Sequence, residues 1–170
     1  MWQFRFPTWL VLFVFALLVQ TALLPVIFPV GYVPSMVLPV VVLIAVYETP
    51  RRGLAAGLLG GLMMDVWSGR TWGLNALTYA FIGYLVAILQ GKIVRDQVFV
   101  PGLLAGVAQV AATPLQWVLL RVAGYHFAWL GFVRPLPSSV LFAMLMTPAI
   151  GGILRFRSRH EIESMYGPDL

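Results

Sequence analysis

Cysteine is absent from this sequence and charge is scarce: 10% of its 170 residues are Asp, Glu, Lys or Arg, and only six are acidic. Without cysteine there is no disulfide framework, no thiolate metal site and no thiol nucleophile. A water-soluble domain carries about 25% charged residues, so this chain has too little charge to face water all round. What it has instead is apolar: 61% of residues, with a mean hydropathy of +0.91. Lipid is the solvent that such a composition suits. The formal net charge of +5 and isoelectric point near 10.1 would also fit nucleic acid. Here, however, the basic residues come in twos and threes between apolar runs, where anionic lipid head groups attract Lys and Arg. Membrane lipids, and not nucleic acid, are therefore the expected partner of these charges.

Apolar runs divide the chain into six expected transmembrane helices at residues 6–24, 33–47, 53–67, 73–89, 98–122 and 137–154, followed by a short tail at 155–170. The first is close to the roughly 20 residues that a helix needs to cross a bilayer. Arg5 ahead of it gives the order of a signal peptide, but the small-residue cleavage pattern is poor, so it is read as a retained span. The second run is short for a crossing and is expected to sit partly inside protein. A turn as short as Ser68 to Thr71 makes the third and fourth helices antiparallel neighbours, and Pro114 lies inside the fifth.

Charge then sets the topology. Alternating the connections gives one side Arg5, Arg51, Arg52, Lys92, Arg95, Arg155, Arg157 and Arg159, and the other only Arg70, Arg121 and Arg134. The richer side belongs in the cytoplasm. Six spans with both termini inside give this asymmetry, whereas a five-span chain with a re-entrant second segment spoils it.

Several helices carry small-residue seams. Gly53, Gly57, Gly61 and Asp65 recur every four residues in the third, Ser139, Ala143, Thr147 and Gly151 in the last, and Gly102 with Gly106 in the fifth. Such stripes admit another helix to backbone distance, where van der Waals contact drives association in lipid. The fourth helix sets Asn75, Tyr79 and Gly83 on one face, and the fifth sets Gln109, Thr113 and Gln116 on another. Polar groups like these should meet inside the bundle or touch a partner. Asp65 is singled out because a carboxylate within a span is a functional candidate by default. The alternative is structural, an ion pair with Arg70 or a cap on the helix that follows Gly73.

The patterns of catalysis are missing. His126 and His160 fall on opposite sides of the membrane in this topology and cannot share a metal or a proton. Ser138 and Ser139 lack a nearby base and look like a helix start. Gly60, Gly61 and Asp65 lie within an apolar helix, not between a strand and a helix as a nucleotide loop would. No catalytic residue, cofactor or metal is assigned.

One stretch has a familiar order: Gly57-Leu-Leu-Gly-Gly-Leu-Met-Met-Asp65, Trp67-Ser-Gly69, Trp72-Gly73-Leu74-Asn75-Ala76-Leu77, then Gly83-Tyr84-Leu85. This resembles the rod shape-determining protein MreD family over about a third of the chain. A departure stands at Val33-Pro34-Ser35, where that family often has Arg-Pro-Asn. The resemblance implies a non-catalytic inner-membrane subunit of the bacterial elongation machinery. Its implied partner is the bitopic protein MreC, with RodA, a class B penicillin-binding transpeptidase and MreB in the same complex. It also implies a likeness to the six-helix substrate-binding subunits of energy-coupling-factor transporters.

The expected function is thus a scaffold, with Gly53, Gly57 and Gly61 facing a partner span and Asp65 and Asn75 as polar anchors. Trp72, Gly73, Tyr79, Gly83 and the Ser139 to Gly151 stripe complete the expected helix-packing set. The alternative is a small-molecule-binding transporter subunit with an outer pocket lined by His126, Trp129, Arg134, Asp65 and Asn75.

Overall fold

Hydrocarbon offers no water to backbone N–H and C=O groups, so a chain this apolar has to pair them within itself. In the computed structural model every element among the described residues is helical. Those residues are 6–29, 32–69, 73–89, 99–125 and 128–166, with side chains described from 8 to 152. The first helix, α1 (Phe6–Leu18), passes through a π-helical turn (Val19–Leu23) into α2 (Leu24–Ile27). There follow α3 (Val37–Tyr47), α4 (Pro50–Ser68), α5 (Leu74–Leu89), α6 (Val100–Val122), the short α7 (Trp129–Val133) and α8 (Leu136–Tyr166).

The centre is α3. Every residue from Val37 to Val46 is buried, as expected of a helix that is apolar on all sides. It touches α1, α4, α5, α6 and α8. Eleven residues rise only about 16 Å, well short of the roughly 30 Å hydrocarbon layer, and protein surrounds the helix where lipid would otherwise have to. Its start lies four residues later than the apolar run implied. The residue before a proline avoids helical geometry, so the chain stays non-helical through 32–35 around Pro34. Pro39 falls in the first turn of α3, where no helical N–H is missed.

Around this centre the largest helix–helix interface joins α4 to α5 and the next joins α6 to α8, while α1 lies against α3 and α4. The α4 helix opens at Pro50, which suits a first-turn position. It closes at Gly69, whose φ of +62° is the left-handed cap that a side chain resists. At the other end of the chain α8 continues to Tyr166, past the expected boundary at 154. No glycine or proline interrupts the sequence between Ile153 and Tyr166, and Gly167-Pro168 follows as a stop signal.

The outward faces are apolar. Phe15, Leu58, Phe81, Val107 and Leu145 are all exposed, an arrangement that would aggregate in water and suits acyl chains. Among the described residues, three segments are long and apolar enough to cross a membrane: Thr8–Ile27, Val100–Val122 and Trp129–Gly152.

Candidate functional site

The glycine stripe of α4 meets α5 of the same chain. A side chain added at Gly53 would place its Cβ 2.6 Å from the Gly83 carbonyl oxygen, and one at Gly57 or Gly61 would overlap the backbone of Tyr79 or of Asn75 and Ala76. Gly83 faces back onto Gly53. The expectation that this stripe receives a partner span is therefore corrected: the short turn after Ser68 folds α5 onto it, and no space is left for a second chain. Trp72, in that turn, lies outside the described residues.

At the end of the stripe sits Asp65, 1% exposed. Its Oδ1 accepts from the Asn75 N–H at 3.2 Å and from Asn75 Nδ2 at 2.8 Å, and its Oδ2 accepts from the Ala76 N–H at 3.0 Å. These are the unpaired donors of the first turn of α5, which an N-cap side chain normally satisfies. Gly73 occupies the cap position, its carbonyl accepting from the Leu77 N–H at 2.9 Å and its φ at +86°. It has no side chain to offer, so the carboxylate comes from the preceding helix. Of the readings open for Asp65, the cap on the following helix is the one the geometry shows.

From Asn75 the polar contacts continue inward. Gln116 Nε2 on α6 donates to Asn75 Oδ1. Tyr79, one turn on, shares a hydrogen bond with Ser35 Oγ at 3.4 Å, and the Ser35 N–H donates to Ser139 Oγ on α8 at 3.3 Å. Two faces read as inward from the sequence, Asn75 with Tyr79 and Gln109 with Gln116, thus meet around one space. It is a cavity of about 270 Å³, with Gln109, Thr113 and Gln116 on one wall and Asn75, Tyr79 and Ser139 among the others. Gln109 Oε1 is buried without a hydrogen-bond partner among the described residues, a state that costs about 1–3 kcal/mol in an apolar interior.

The α8 stripe also faces inward. Ser139, Ala143 and Thr147 are each at most 2% exposed, and a Cβ on Gly151 would meet Leu43 of α3 at 3.3 Å. Thr147 Oγ1 returns its proton to the Ala143 carbonyl at 2.7 Å. Of the residues proposed for an outer pocket, Asn75 lines the cavity, Asp65 is withdrawn into its cap, and His126 lies outside the described residues. Trp129 stands edge-on to Trp117, with centroids 5.3 Å apart, and Arg134 is exposed.

One participant was missed in the sequence. Gln20, buried in the π turn of α1, accepts at Oε1 from the N–H of Met36 at 2.8 Å and of Val37 at 3.4 Å, and its Nε2 approaches Met64 Sδ at 3.6 Å. It caps α3 and lines the cavity. A lone glutamine inside an otherwise apolar run was the available signal.

Across nearly the whole chain, residues 2–157 match the family model described as rod shape-determining protein MreD. No curated protein and no solved structure matches.

Proposed function

The chain belongs to the MreD family of rod shape-determining membrane proteins, and from that membership we propose that it is a non-catalytic scaffold subunit of the bacterial elongation complex. In this reading it crosses the inner membrane six times, through the α1–α2 run and through α3, α4, α5, α6 and α8. Both termini are cytoplasmic, because Arg51 and Arg52 at the start of α4 share a side with the basic tail. It binds MreC directly and works alongside RodA, a class B penicillin-binding transpeptidase and MreB in lateral peptidoglycan synthesis. The likeness to substrate-binding subunits of energy-coupling-factor transporters is carried here only as a shared six-helix plan.

The family match over residues 2–157 is the observation that carries this proposal. The geometry supports it in two ways. The inward polar groups cap and bridge helices, which is the work of a rigid frame. The glycine seams are closed by the chain's own helices, so in this reading MreC docks on an outward face, where apolar ridges such as Leu54, Leu58 and Leu62 are exposed.

In cells, photo-crosslinkers placed singly at the exposed Leu58, Phe81, Val107 and Leu145 test the reading. At least one position should capture MreC. Correctly inserted protein that yields no MreC adduct from any of the four would overturn it.

A further inference from the structure

The cavity between α5, α6 and α8 is the one feature that a purely structural role leaves unused. Its roughly 270 Å³ equals the space of about nine waters at ~30 Å³ each. Close packing normally removes such volume, because walls that face a void lose their dispersion contacts. A chain built for rigidity alone would fill it, and Ala112 is a small residue on its wall.

The chemistry of the walls narrows what fits. Among the described residues the polar lining consists of amides and hydroxyls, with no carboxylate and no cation. Asp65, the carboxylate close by, has both oxygens engaged by the start of α5. An ion entering this space would lose its hydration without a counter-charge, so an ionic ligand is disfavoured. Amides and hydroxyls both donate and accept, which suits a neutral molecule that carries several groups of both kinds. Gln109 and Gln116, seven residues apart on α6, share a face with Thr113 between them. Gln109 Oε1 is closed off from that space and has no hydrogen-bond partner among the described residues, so a turn of the Gln109 amide would bring an uncommitted acceptor to a ligand. Leu38, Phe132 and Leu136 add apolar groups to the lining. Gly131, an exposed residue of α7, also lines the space, so the cavity reaches the surface beside that short helix.

We propose that this cavity is a binding site for a neutral, hydroxyl-rich small molecule of about monosaccharide size, with Gln109 as its principal hydrogen-bonding residue. The site goes beyond the scaffold reading and stands or falls separately from MreC binding.

The test uses the purified full chain in lipid nanodiscs, with thermal unfolding and saturation-transfer NMR as readouts. Glucose and N-acetylglucosamine are the neutral probes, and glucuronate and glucosamine are the charged comparators. A neutral sugar should raise the unfolding temperature saturably and the charged pair should not. Gln109→Leu should weaken that binding about tenfold, the equivalent of roughly one buried hydrogen bond. The same variant without sugar should be at least as stable as the parent, since it removes a buried acceptor that has no partner. Ala112→Leu, which shrinks the cavity, should abolish the response and carries the comparison if Gln109→Leu does not fold. Three results would overturn the proposal: no saturable response to either neutral sugar, an equal response to the charged pair, or undiminished binding in the variants that fold.

Discussion

The α4–α5 and α6–α8 interfaces are built from the same small residues and differ in what those residues touch. In α4–α5 the space above Gly53, Gly57 and Gly61 is filled by the backbone of the facing helix. In α6–α8 the space above Gly102 holds the Met144 carbonyl oxygen 2.6 Å from an added Cβ, whereas that above Gly106 holds the Met144 side chain, with Cγ at 2.9 Å. A backbone cannot step aside without moving its helix, but a methionine side chain turns easily. The first interface is therefore a fixed seam. The second has give, and it borders the cavity. Small residues in register thus mark where helices approach, but only the identity of the facing atoms says how rigid the approach is.

The comparison breaks or sharpens with substitutions at three positions. The largest effect is expected at Gly57→Ala, where the new methyl overlaps the Tyr79 backbone. It should cost about 3 kcal/mol, the upper end of overpacking penalties, and appear as a lower unfolding midpoint and loss of the monodisperse species in detergent. Next comes Asp65→Ala, which leaves the first turn of α5 uncapped. A loss of about 2 kcal/mol is expected, with Asp65→Asn milder because it retains one acceptor oxygen; equal unfolding midpoints for the two variants would show that the cap carries little of the hairpin's stability. The smallest effect is expected at Gly106→Ala, about 1 kcal/mol, since Met144 can rotate away. If Gly106→Ala proved as costly as Gly57→Ala in the same unfolding assay, the distinction between a fixed and a yielding seam would be lost.

Much of this organisation was legible in residue order. Apolar runs and glycine spacing point to packed helices, and the short Ser68 to Thr71 turn already implies which helix is the neighbour of α4. Carried one step further, that turn identifies α5 as the occupant of the glycine stripe, since an adjacent antiparallel helix reaches it before any separate chain. The inward faces of α5 and α6 were legible too, because amides and hydroxyls avoid lipid. What was not legible depends on distant partners. Gln20 becomes a cap only because a π turn presents it to the start of α3, and no local pattern announces that turn. The cavity was equally hidden: it arises where six separate stretches fail to fill a shared space, and volume left over between helices leaves no trace in the periodicity of any one of them. For Asp65 the residue order left an external anchor and a cap on the helix after Gly73 both open, and the structure selects the cap, because Gly73 sits at the cap position with no side chain to offer.

The brevity of α3 bears on how the protein is made. Most spans leave the translocation channel as stable helices and find one another afterwards. Eleven residues with their first amides held by a glutamine from another helix have no comfortable resting place among lipids before the rest arrives. In the six-span reading, entering the membrane and taking its seat in the finished protein become a single event for this segment, and the surrounding helices serve as its solvent.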